Sequence, residues 1–141
     1  MKNLRVYSIS QKLKKAEVHK LVKSLSSDLD FSVSNLEINF ISERSILDIN
    51  KTYLKHHYTT DIITFDYSDA EKIIDGEIFI SMDDAFSNSK KFKVSFSDEL
   101  TRLVIHGILH LLGYDDSTIT EKKIMKRLEN KLLSRNIFSL L

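Results

Sequence analysis

The stretch HGILHLLGYDDS, residues 106–117, sets two histidines four positions apart in an apolar run, then a glycine, then two aspartates. On an α-helix, residues i and i+4 lie about 40° apart around the axis and about 6 Å along it, so His106 and His110 share a face. Both imidazoles can reach one ion. Gly113 stands where a left-handed residue ends such a helix, and a turn there can send YDDS back past the histidine face. Asp115 and Asp116 are therefore both candidates for a third ligand. Three protein ligands with an open fourth position make a catalytic zinc site, whereas structural zinc usually has four ligands and is rich in sulfur. The chain has no cysteine, so an open, hydrolytic site is favoured. An ion held there lowers the pKa of a bound water to about 7 and polarises a carbonyl or phosphoryl oxygen.

H-x-x-x-H spacing by itself is a weak signal, since two histidines on a buried helix serve at least as often as hydrogen-bonded core residues. In the H-E-x-x-H zinc peptidases the residue after the first histidine is the general base; here it is Gly107. The peptidase's base is missing. Close packing accounts for that glycine as readily as any catalytic reason.

The element that must hold the histidines reads as a helix over 98–112. Ser97 is placed to cap it, Asp98 and Glu99 sit in the first turn, where the helix dipole favours anions, and Gly113 follows its end. Leu100, Leu103, Val104, Ile105, Ile108, Leu109, Leu111 and Leu112 cover so much of its circumference that burial is expected. Upstream, alternation predicts strands over 4–9 and 35–42, and β-rich runs over 61–67 and 76–81 predict a hairpin joined through 68–75. Helices are expected over about 11–26, after Ser42, near 83–92 and over 119–135, the last with Thr118 and Glu121 in capping-box spacing. The fold class is α+β, a mixed four-stranded sheet packed with about five helices and a zincin-like metal site on a central helix.

The 141 residues fit one domain, residues 1–141, without repeat or linker. A composition 42% hydrophobic and 29% charged, with net charge +1, describes an ordinary globule and names no partner by charge. No apolar run approaches the roughly 20 residues of a membrane span, and the N-terminus lacks a secretory apolar core. A cytoplasmic location is the expectation. The lysine-rich tract QKLKKAEVHKLVK keeps a helical rhythm of apolar residues and reads as a solvated face, with His19 on the surface.

In His106, Gly107, Leu109, His110, Leu111, Gly113, Tyr114 and Asp115 the chain resembles the YbeY endoribonucleases, whose pattern is H-G-x-L-H-L-x-G-Y-D-H. TTDIITF (59–65) is similar to that family's P-T-D-V-L-S-F strand, DGEIFIS (75–81) to its L-G-D-I-x-I-S strand, and SDELTRLVIHG to its helix lead-in. The likeness spans residues 50–130. It implies a zinc ion, one per chain, held by three side chains, and a metal-dependent hydrolase of single-stranded RNA. It further implies action on ribosomal RNA at the 3′ end of the small-subunit (16S) species and in ribosome quality control, with the small subunit as partner and no part for DNA. Where the family has its last histidine this chain has Asp116, to which the ligand role is carried; Asp115 matches the family's own Asp and is expected to brace the turn or orient a histidine. Metal ligands are thus expected at His106, His110 and Asp116. A carboxylate in place of an imidazole leaves the ion less residual positive charge.

The family often carries an Arg after the tyrosine of TYLKHHYTTD; here Leu54 stands there and Lys55 follows, an RNA-contact candidate as a point charge without Arg's fork. His56 and His57 read as plain surface residues. No catalytic base is assigned: Asp61 and Glu99 lie in family-like segments, but Glu99 is about 10 Å along the helix from His106 and reads as a helix-start carboxylate. A groove for RNA could draw on Lys55 with Lys90, Lys91 and Lys93 and on Tyr58, Tyr67 or Phe79 for stacking, although core packing suits Phe79 better. Three rivals stand beside this reading: a metallopeptidase, a non-haem iron oxygenase, and a ribosome-associated assembly or interaction factor with a structural metal.

Overall fold

A computed structural model describes residues 1–54 and 60–141. Four strands, β1 (Leu4–Ser8), β2 (Ser32–Ile41), β3 (Ile62–Asp66) and β4 (Ile73–Ser81), form one sheet in the order β1-β2-β4-β3. β1 and β4 run parallel to β2, and β3 pairs antiparallel with β4, the expected hairpin. The register aligns Leu4 with Leu36, Val6 with Ile38, Ile38 with Ile78 and Phe40 with Ile80. Partners across a ladder share a face, so these residues make one apolar surface, and all are buried. Helices α1 (Lys15–Leu29) and α4 (Phe96–Leu111) supply most of the rest of that core. α2 (Glu43–Ile49), α3 (Met82–Phe92) and α5 (Ile119–Arg135) complete five α-helices among the described residues. None is long and apolar enough to cross a membrane.

Local chemistry accounts for most boundaries. Ser42 caps α2, accepting from the Ser45 amide, and Thr118 and Glu121 make the reciprocal capping box at the start of α5. The cap expected at Ser97 is overturned: α4 begins earlier, with Ser95 accepting from the Asp98 amide at 3.0 Å. The earlier start turns Phe96 edge-on to Phe86 of α3 and frees the Ser97 hydroxyl to accept from the Leu140 amide. α1 starts later and ends later than its periodicity suggests; the Lys14 amide is held by the Leu140 carbonyl and no side chain caps it. α2 passes into a π-helical turn over Asn50–Leu54.

α4 lies against β3 and β4. A Cβ on Gly107 would come within 2.9 Å of Ile78 Cδ1 and 3.1 Å of Ile62 Cδ1, so this residue is a packing glycine under the sheet. The same contact shows why the peptidase's glutamate has no place here.

Candidate metal centre

On α4, Glu99, Arg102, His106 and His110 follow one another at spacings of three, four and four, one polar stripe down an otherwise buried helix. The two histidines hold the C-terminal end of that stripe, with 16% and 24% of their side chains exposed, open enough for a ligand and enclosed enough to be ordered. Beyond them the helix closes in a Schellman turn: the Gly113 amide donates to the His110 carbonyl, the Tyr114 amide donates to Leu109, and Gly113 adopts φ +99°. The chain then turns back as the sequence suggests. Asp115 braces the return, accepting from the Asp116 amide at 2.7 Å and the Ser117 hydroxyl at 2.9 Å; those two bonds hold its carboxyl below the ordinary range.

Asp116 is thereby delivered to the histidines. His106 Nε2 and His110 Nε2 are 3.0 Å apart, and Asp116 Oδ2 is 3.5 Å from each. Ligand atoms at about 2.0–2.1 Å from a tetrahedral zinc ion lie about 3.3–3.4 Å from one another. The triangle therefore has the size a zinc ion needs, with two nitrogens and one oxygen converging on the same point. Of the two aspartates left open by spacing, geometry brings Asp116 and not Asp115 to the histidines.

Behind this triangle is a set of buried charges that the sequence reading missed. His106 Nδ1 is hydrogen-bonded to Glu129 Oε2 of α5. Glu129 Oε1 accepts from Arg102 Nη1 at 2.9 Å, and Arg102 Nε and Nη2 donate to the two oxygens of Glu99 at 2.9 and 2.7 Å. Burial opposes ionisation of Glu129, but hydrogen bonds and charge from His106 and Arg102 together outweigh it and hold the carboxyl below its ordinary value. The same paired carboxylates, Glu99 foremost, push the Arg102 guanidinium up. Glu99 stands in the first turn of α4, as the sequence suggests, yet it is only 1% exposed: Arg102 takes it into the core. Asn88 of α3 extends the network, donating to Asp61 at 3.1 Å and lying 3.5 Å from Glu99. Burial raises the Asp61 carboxyl above its ordinary range despite the opposing charges of Arg102 and His106.

The family described as "Endoribonuclease YbeY" matches residues 2–136 of this chain. The chain belongs to the YbeY endoribonuclease family. Curated YbeY endoribonucleases from Bacteroides thetaiotaomicron and Phocaeicola vulgatus are 39% and 41% identical to it over 122 residues, each alignment covering 86% of this chain and 88% of the relative. A solution structure of a Thermotoga maritima protein superposes with a TM-score of 0.65 at 25% identity, covering 93% of this chain and 87% of that one.

The remaining residues singled out by sequence fall away from the triangle or outside the described residues. Lys55, His56, His57 and Tyr58 are in the latter group. His19 is half-buried, its Nδ1 3.3 Å from the amino terminus; burial first and that charge second lower its pKa. Lys90 and Lys91 lie over the rings of Phe86 and Phe92, and Lys93 ends α3 in the left-handed region. Phe79 is half-buried, edge-on to Phe65, while Tyr67 is exposed with its hydroxyl donating to Glu77, which holds the phenol up at about 12. Glu129 could have been found only by docking α5 on α4, whereas Arg102 was within reach as the i+3 partner of Glu99 on the histidine face.

Proposed function

We propose that this YbeY family member is a zinc-dependent endoribonuclease that cuts single-stranded RNA, with small-subunit ribosomal RNA near its 3′ end as substrate, in the cytoplasm and as a single domain. The observation that carries the metal dependence is the triangle of His106, His110 and Asp116, sized for one ion and left open on one side. A zinc ion held there supplies Lewis acidity toward a phosphoryl oxygen and lowers the pKa of bound water. His106 and His110 would each bring an imidazole nitrogen to the ion, and Asp116 a carboxylate oxygen. Glu99 is unsuited to proton transfer because Arg102 occupies both its oxygens in the core. Asp61 takes that role in this reading: it is half-buried, it accepts from Asn88 at 3.1 Å beside the Glu99–Arg102 pair, and burial raises its carboxyl above the ordinary range. Lys55, which lies outside the described residues, is assigned a phosphate contact in this reading on its sequence position alone.

Cleavage of a single-stranded RNA carrying a small-subunit 3′ end tests this, with zinc-loaded protein, EDTA-treated protein, His110→Ala and Asp116→Ala compared after a folding check. Cutting by the zinc-loaded protein alone is expected, with Asp116→Ala reduced at least 10-fold. Equal cutting by all four would mark a contaminant and refute the proposal. The assembly-factor reading gains ground if zinc binds stoichiometrically but no sample cuts.

A further inference from the structure

The geometry points to Glu129, clamped by Arg102, as a positioning residue that fixes the tautomer of His106 and so sets the metal affinity of α4 from α5. The inference rests on the metal-centre reading and adds to it a residue outside the ligand set. His106 offers two ring nitrogens with different partners: Nδ1 faces Glu129 Oε2, and Nε2 faces His110 Nε2 and Asp116 Oδ2. An ionised carboxylate can only accept, so a neutral His106 places its proton on Nδ1 and keeps the Nε2 lone pair for the ion. The opposite tautomer would aim a proton at the ligand triangle.

Glu129 can impose this choice only if it cannot turn away, and the surrounding bonds prevent that. Its carboxylate is 5% exposed and divided between two donors, Oε1 to Arg102 and Oε2 to His106. Arg102 in turn is held by its bidentate pairing with Glu99, so the guanidinium has no spare orientation. Among the described residues His110 has no comparable clamp; its partners are His106 and Asp116. The two histidines are therefore unequal ligands, His106 preset and His110 adjustable.

A Glu129→Gln substitution in the full chain separates this role from simple stapling of α5 to α4. Gln has the same shape, but Arg102 can only donate, so the amide must turn its oxygen to Arg102 and its NH2 to His106. Nδ1 then has to accept, and the proton moves to Nε2, where the ion would bind. Long-range 1H–15N spectra of the metal-free proteins are expected to show the His106 proton on Nδ1 in the wild type and on Nε2 in Glu129→Gln. Competition with a chromogenic chelator is expected to show zinc affinity reduced 10- to 100-fold in the variant. A thermal melt confirms that both are folded, and Glu129→Asp, which keeps an acceptor, supplies a second folded comparison with the wild-type tautomer. Unchanged tautomer, or zinc affinity within 2-fold of wild type in folded Glu129→Gln, would overturn the inference. A wild type that takes up no zinc overturns the metal-centre reading itself, and that outcome is distinct because it leaves no affinity for the variant to lose.

Discussion

Replacing Arg102 by Met should be among the most damaging single changes to this fold outside its apolar core. The side chain is 27% exposed, and its guanidinium is the charge partner of two carboxylates that are 1% and 5% exposed. Met fills much of the same volume, so the loss is electrostatic. Glu99 gives up two bonds at 2.9 and 2.7 Å and, among the described residues, retains Asn88 at 3.5 Å, while Glu129 keeps His106. Breaking a buried ion pair by removing one partner costs about 3–5 kcal/mol. Because one carboxylate keeps a donor and the guanidinium edge is wet, about 3 kcal/mol is the expected loss. For 141 residues, an unfolding entropy of about 2.1 cal/mol/K per residue gives about 0.3 kcal/mol/K, so the melting temperature should fall by about 10 °C. Urea denaturation and calorimetry measure both quantities. The double variant Glu99→Gln/Arg102→Met removes the stranded charge and should recover at least about 1 kcal/mol. A melting temperature within 3 °C of wild type for Arg102→Met would refute the claim that Arg102 neutralises this network, and no recovery in the double variant would refute the part assigned to Glu99.

Two further changes probe the same region by other means. Asp61 has its folded pKa raised, so it contributes stability that is full below its unfolded value and lost as pH rises through the folded value. Asp61→Asn should accordingly melt higher than wild type at pH 7.5 and lose that advantage below about pH 4, while RNA cleavage falls; equal melting at both pH values would count against the burial of that carboxyl. Gly107→Ala adds a methyl 2.9 Å from Ile78 Cδ1 and 3.1 Å from Ile62 Cδ1. Overpacking of about 1–3 kcal/mol against a helix-propensity gain of about 1 kcal/mol predicts net destabilisation of up to about 2 kcal/mol. A stabilised Gly107→Ala in urea would show that α4 can lift off the sheet at no cost.

What the sequence made legible is what its local rules control. The capping box at Thr118 and Glu121, the alternation of Leu36, Ile38 and Phe40, and the return of the chain at Gly113 are each dictated within a few residues, and each is found. Ser95 and Ser97 both stand near the start of α4, and the choice between them was made by Phe96 packing on Phe86, a contact between two helices. Glu129 lies among lysines, arginine and glutamate with no local feature to single it out, and only the docking of α5 turns it inward beside Met125 and Leu132. Glu99 carries the same lesson, because a first-turn carboxylate is ordinarily explained by the helix dipole alone. Its burial requires Arg102, and Arg102 requires Glu129.

The same architecture predicts that a ligand exchange is tolerated better at position 116 than at His106. His106 is tied on both sides, to Glu129 through Nδ1 and to the ligand triangle through Nε2, and it sits on a helix whose other faces are core. Any replacement there takes one of two donors from a buried carboxylate as well as removing a ligand candidate. Asp116 sits on a turn whose shape is already set by Gly113 and by the bonds to Asp115, with 39% of its side chain exposed. A shorter, anionic side chain can enter at that point without disturbing any packed neighbour. An exchange at that point would be chemical and not structural: the site would keep its place while its charge changed. Residues that build the turn constrain where the third ligand stands, and leave open which donor atom it brings.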